Sequence, residues 1–181
     1  MYSGVNIMPT LLEFATDEQI RDEYKKSFML NMFRKVCAKM QNDSSYKSKI
    51  KTLFRESHNK NMTTKIIIEN NFNYDLTQEE AELMSLWFDA HFKKSNRRKS
   101  IPPFFKNELL KRQNGKCAVC GEDLATDTKK VHVDHIIPWS LVGDELEDNY
   151  QILCETCNEC KSASTDYIFK NMIKLISEIR R

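Results

Sequence analysis

Residues 131–140 read VHVDHIIPWS. The first positions alternate apolar and polar, as a half-buried strand does, and the run then stops on Asp134, His135 and a proline. Successive side chains of a strand point to opposite faces. Asp134 and His135 therefore share one site only if the strand bends between them, and Pro138 marks where regular pairing ends. The pair makes chemical sense together. A carboxylate supplies an oxygen to a hard divalent cation, and a neighbouring imidazole that is not itself a ligand stays free to take a proton from water. A second oxygen ligand is available from Asn158, expected at the start of a helix just past the last cysteine pair.

The cysteines frame this stretch. Of six, five lie between Cys117 and Cys160, and only Cys37 lies outside. Cys117 and Cys120 form one C-x-x-C, and Cys154 and Cys157 form another, with 33 residues between the pairs. Two such pairs supply the four thiolates of a closed tetrahedral zinc site. The run CETCNEC at 154–160 leaves a second choice, Cys157 with Cys160. On the first choice Asn158 directly follows the last ligand; on the second, Lys161 does.

With 40% hydrophobic and 30% charged residues in 181, the composition suits an ordinary globular chain of one medium domain or two small ones. No apolar run approaches the ~20 residues that span a bilayer, and MYSGVNIMPTLLEF at the N-terminus lacks the basic and apolar blocks of a signal peptide. The expectation is a cytoplasmic protein without a membrane partner, in which disulfides are disfavoured and clustered cysteines point to metal. Net charge is +2, unevenly spread: residues 91–116 carry +8 and residues 117–181 carry −5. That asymmetry suits a polyanion held in one place and a cation in the next.

Three helices are expected before residue 100. One follows a capping box at Thr16 and Gln19 and carries Ile20, Tyr24, Phe28, Met32, Val36 and Met40 at helical spacing. A second places Tyr46, Ile50, Leu53 and Phe54 on one face. A third starts at the Thr77–Glu80 capping box and buries Leu83, Met84 and Trp87. TTKIIIENNF, between the second and third, reads equally as strand or helix. KKSNRRKSIPP at 93–103 reads as a basic linker or surface arm. FFKNELLKRQNG reads as a helix stopped at Asn114-Gly115, and Ile168, Met172, Leu175, Ile176 and Ile179 as one face of a last packed helix. His58 and His91 read as structural. The expected fold is α+β: a mostly helical region, 1–100, for specificity, dimerisation or partner binding, then a small metal domain, 101–181, with a C-terminal helix.

CAVCG…VHVDHIIPWS…DNYQILCETCNECKSA, within about residues 105–163, resembles the HNH endonucleases of the ββα-metal superfamily, in the version with a four-cysteine zinc site. The resemblance implies a β-hairpin and helix around one catalytic divalent ion. It implies His135 as general base, Asp134 as metal ligand, Asn149 as the central Asn that braces the loop, and Asn158 as the second ligand. Many members have His at that last place; the phage junction-resolving members have Asn. An oxygen ligand favours Mg or Mn over ions that prefer imidazole. The implied activity is metal-dependent DNA hydrolysis leaving 5′-phosphate and 3′-hydroxyl ends, in restriction or anti-phage defence. One site cuts one strand, so a double-strand cut calls for a homodimer, a partner protein or two encounters. Next to such a site, Lys93, Lys94, Arg97, Arg98, Lys99 and Lys161 are expected to contact DNA. The alternative is a zinc-organised DNA- or protein-binding module with weak or lost cleavage.

Overall fold

The computed structural model of the chain describes residues 17–124, 131–146 and 148–161. Its elements run α1 (Asp17–Asn42), α2 (Ser44–Glu56), α3 (Lys60–Phe72), α4 (Gln78–Lys93), α5 (Pro103–Arg112), β1 (Val131–His135), α6 (Trp139–Val142), β2 (Tyr150–Cys154) and α7 (Glu155–Lys161). The class is α+β, as the sequence leads one to expect. The capping box at Thr16 and the last helix over 168–179 lie outside the described residues. The chain divides into two compact units. One takes Phe28–Arg98 with the described part of Ile137–Glu147; the other takes Lys99–Ile136, the described residues from Asp148 onward and those before Phe28.

The helical unit is built on aromatic packing. Phe33, wholly buried on α1, meets Phe88 of α4 edge-on at 5.0 Å, and Trp87 at 5.8 Å, geometries that suit the ring quadrupole. The α1 stripe is buried from Met29 onward through Met32, Phe33, Val36 and Met40, whereas Tyr24 and Phe28 stay about half exposed. Caps set the other helices. Asp43 accepts from Tyr46 N ahead of α2, and Asn59 accepts from Met62 N ahead of α3, each satisfying an N-terminal amide. Asn73 closes α3 in the left-handed conformation, φ 50°. These two asparagines decide TTKIIIENNF in favour of helix. The Thr77–Glu80 capping box forms in both directions, and α4 then buries Ala81, Met84, Trp87 and Phe88. Leu83 and Leu53, expected inside, lie off these faces and stay exposed.

The same core takes in Ile137, Leu141 and Val142 around α6. His91 Nδ1 donates to the Leu141 carbonyl at 2.6 Å, and Lys94 Nζ donates to the Ser140 carbonyl. Gly143 caps α6 at φ +65°, and a Cβ there would stand 2.8 Å from Lys94 Cβ and 3.4 Å from Lys94 Cα. Only glycine satisfies both the positive φ and the close approach.

The smaller unit is a hairpin with helices at its sides. β1 and β2 pair antiparallel with Asp134 opposite Gln151 and His135 opposite Tyr150, and Ile136 N donates to Asn149 O one step further. Gln113, at the end of α5, clamps the other edge of β2: its Oε1 accepts from Ile152 N at 2.7 Å and its Nε2 donates to Ile152 O at 3.0 Å. Ala118 N donates to the same carbonyl. The outward N–H and C=O of Ile152 are thereby satisfied without a third strand. Asn114 and Gly115, both at positive φ, turn the chain out of α5. Leu109, Leu124, Val131, Ile152 and Leu153 form the apolar core with Cys117, Cys154 and Cys157.

Gly143→Ala should destabilise the helical unit by about 1–3 kcal/mol through backbone strain and the clash with Lys94. Denaturant titration followed by Trp fluorescence measures this; an unchanged midpoint would contradict the contact.

Candidate functional site

Four sulfurs meet at one end of the hairpin. Cys117 and Cys120 come from a turn closed by Cys117 N to Glu122 O and Gly121 N to Cys117 O; Cys154 ends β2 and Cys157 lies in the first turn of α7. All four sulfurs lie within 4.8 Å of one another, with Cys120 Sγ 3.8 Å from Cys154 Sγ. A tetrahedron with Zn–S bonds of ~2.3 Å has edges of about 3.8 Å, so the donor set and its spacing fit zinc. Cys160 is exposed and outside this group, and Cys37 is buried in the helical core. The choice left open in CETCNEC falls to Cys154 and Cys157.

The sulfurs also show why a cation belongs there. The Cys157 thiol donates to Cys117 and, with backbone N–H groups of Cys120, Cys154 and Val119, lowers Cys117 to about 4. Holding that shared proton drives Cys157 up, and burial pushes Cys154 up to about 12 and raises Cys120. Cys117 is thus lowered while its three neighbours are raised, and a dication would favour the thiolate form at all four.

Toward the other end of β1, Asp134 and Lys161 meet. Lys161, on α7, is buried at 5% exposure. Its Nζ donates to Asp134 Oδ2 at 2.8 Å and to the His135 carbonyl at 2.7 Å. Gln151, opposite Asp134 on β2, donates from Nε2 to the same Oδ2 at 2.9 Å. Lys161 is therefore not the exposed helix-end cation expected to meet DNA: its ammonium is spent on the strand, because an unpaired charge at that depth would be costly.

Asn158 sits three residues before Lys161 on α7, hence on the same helix face. Asn158 directly follows Cys157 in the chain and is partly buried. One carboxylate and one amide oxygen are a hard, sparse donor set, and a cationic ammonium already stands on the carboxylate. Oxygen donors of this kind suit a hard divalent cation.

The bend expected between Asp134 and His135 is absent. β1 keeps regular pairing through His135, so alternation sends the two side chains to opposite faces. The imidazole is buried and lies 4.6 Å from the Tyr150 ring. Asn149 is buried too, and its carbonyl extends the ladder to Ile136. Gln151, which the sequence reading passed over, is the cross-strand partner of Asp134; the register of the hairpin is what would have found it.

The basic residues from Lys93 to Lys99 divide by what they hold. Lys93 and Lys60 pair with Asp89. Burial alone would raise the Asp89 carboxyl, but these two ammonium groups hold it below its ordinary value. Lys94 is tied to Ser140, and Arg98 lies 5.5 Å over the Trp139 ring, whose Nε1 donates to Asp144. Arg97 and Lys99 are exposed on the irregular segment between α4 and α5.

The hairpin, the helix after it and the four-sulfur cluster define a small zinc-organised ββα module. Residues 117–164 match the family model described as HNH endonuclease, and this segment is an HNH domain of the four-cysteine type. The match covers less than half of the chain. No curated protein and no solved structure matches it.

Replacing Cys117, Cys120, Cys154 or Cys157 with Ser should abolish zinc retention and unfold the smaller unit, while Cys160→Ser keeps both. Zinc content by atomic absorption, alongside circular dichroism, checks this; zinc loss in Cys160→Ser would move the site to the other cysteine pair.

Proposed function

We propose that the chain is a metal-dependent DNA endonuclease that hydrolyses phosphodiesters to 5′-phosphate and 3′-hydroxyl ends. The observation that carries this reading is the reach of α7 onto the strand end. Lys161 touches both Asp134 and the His135 backbone, and Asn158 lies one helical turn before Lys161, so α7 would carry the second oxygen donor toward Asp134. Asp134 and Asn158 would hold Mg or Mn. Bound there, such an ion supplies Lewis acidity to the phosphate and to the leaving 3′ oxygen.

The chain's own residues do the rest. For His135 to take the proton of the attacking water, the strand end must bend on DNA binding so that the imidazole reaches the ion held by Asp134; in the free chain its ring packs on Tyr150. Asn149 fixes the loop end through its carbonyl, which keeps Ile136 and hence His135 in register. The cysteine cluster anchors the start of α7 and so the position of Asn158. Arg97 and Lys99, both exposed and close in sequence, would contribute phosphate contacts. One site cuts one strand, so duplex scission would need a second copy, a partner protein or a second encounter. Restriction or anti-phage defence is the setting that suits such an enzyme.

One observation favours the second reading, a zinc-organised DNA- or protein-binding module without cleavage: Asp134 is already ion-paired with Lys161. Three substitutions separate the two. His135→Ala should keep zinc and DNA affinity and lose cleavage by about 10²–10⁴-fold. Asn158→Asp should stay active with Mg, whereas Asn158→Ala should be crippled and partly rescued by high Mn. Rates of supercoiled-plasmid nicking decide: near wild-type cleavage by His135→Ala and Asn158→Ala would remove both residues from the chemistry.

The charge of the arm has its own signature. Arg97→Glu with Lys99→Glu should weaken duplex binding strongly at low salt and less at high salt, since screening already removes that attraction. Equal affinity of both proteins across a salt titration would make these residues a solvated face.

A further inference from the structure

Asp134 is the one acidic side chain of this locality on which the proposed ion depends, and it is not bare. Its Oδ2 accepts from Lys161 Nζ at 2.8 Å and from Gln151 Nε2 at 2.9 Å; Oδ1 accepts from neither. The Lys161 side chain is 6% exposed and that of Asp134 17%. A full positive charge at hydrogen-bond distance, shielded from water, largely cancels the field that a carboxylate presents to a cation. The ammonium is also held by the His135 carbonyl, so it cannot turn away to solvent without losing a second bond. The remaining protein donor, Asn158, is neutral.

We propose that Lys161 is an internal counter-ion to Asp134 that keeps divalent-ion affinity low in the free protein and makes ion binding depend on the DNA phosphate. The phosphate brings the negative charge and the oxygen ligands that the Lys161-neutralised carboxylate lacks. Ion and DNA then bind with positive coupling, each raising the affinity for the other by the same factor. Lys161 also positions: its two bonds fix the Asp134 carboxylate and the His135 backbone against each other, joining the two residues that the regular strand sends to opposite faces. The proposal rests on the reading of Asp134 as the ion's ligand.

The test is Mn binding to the zinc-loaded full chain, followed by electron paramagnetic resonance, which needs no turnover. Without DNA, Lys161→Met and Lys161→Gln should bind Mn about tenfold more tightly than wild type, because a unit charge beside the ligand is gone. Lys161→Arg, which keeps the charge, should bind as weakly as wild type. Adding a short duplex, in a His135→Ala background to prevent cutting, should raise Mn affinity more in the protein that retains Lys161 than in Lys161→Met. Lys161→Gln keeps an amide donor to the strand, and serves if Lys161→Met loses its fold. Neutral variants that bind Mn no more tightly than wild type, or more weakly, overturn the counter-ion role and leave Lys161 as a positioning residue alone. Asp134→Asn tells this apart from failure of the underlying reading: if Asp134→Asn/Lys161→Met binds Mn as well as Lys161→Met, the ion does not use Asp134, and the site assignment falls with the proposal.

Discussion

The smaller unit depends on four sulfur atoms being held together. Its apolar core is short, and three of its buried members are the cysteines Cys117, Cys154 and Cys157. A core of this size contributes little stability by itself, and a structural metal that ties distant parts of the chain compensates. What the cluster ties is specific: the Cys117–Cys120 turn, the end of β2 and the first turn of α7. Fixing the start of α7 fixes Asn158, the residue after Cys157, and Lys161 a turn later. The metal centre and the proposed reaction centre are thus linked by a helix of two turns rather than by shared ligands.

On the other side of that helix the constraint is electrostatic. The hairpin stays regular through His135, which gains backbone hydrogen bonds but parts the side chains of Asp134 and His135. Lys161 answers this by bonding to the carboxylate of one and the carbonyl of the other. A buried ion pair of this kind adds little net stability, because desolvation offsets attraction, yet breaking it by removing one partner is costly. Its value here is geometric. It sets the carboxylate against the strand, with Gln151 confirming the direction from β2.

Much of this was legible in the residues. The two C-x-x-C pairs, the Thr77–Glu80 box and the Asn114-Gly115 stop each carry their own local physics, and local physics survives into the fold. TTKIIIENNF was not legible, because three β-branched residues in a row suit either state; the capping asparagines on each side settle it. Tyr24, Phe28 and Leu83 kept helical spacing but not burial, since spacing gives a face and only packing says how far along the helix that face is covered. Lys161 was misread because a lysine in a short polar helix usually faces water, and its partner, Asp134, is 27 residues away in sequence. The close fit of Gly143 against Lys94 is likewise a long-range contact without a local sign. The placement of Ile137, Leu141 and Val142 in the helical core is another, as their apolar pattern names no partner.

The account stands on the claim that Asp134, His135 and Asn158 form a hydrolytic centre and not merely a well-packed strand end. The most direct measurement is the product formed when zinc-loaded protein meets supercoiled plasmid with Mg. Hydrolysis with attack from the His135 side and a 3′ leaving oxygen predicts nicked circles whose ends DNA ligase reseals without prior treatment. Plasmid that stays supercoiled with every divalent ion tried, or nicks that ligase cannot close until a 3′-phosphate is removed, would contradict it.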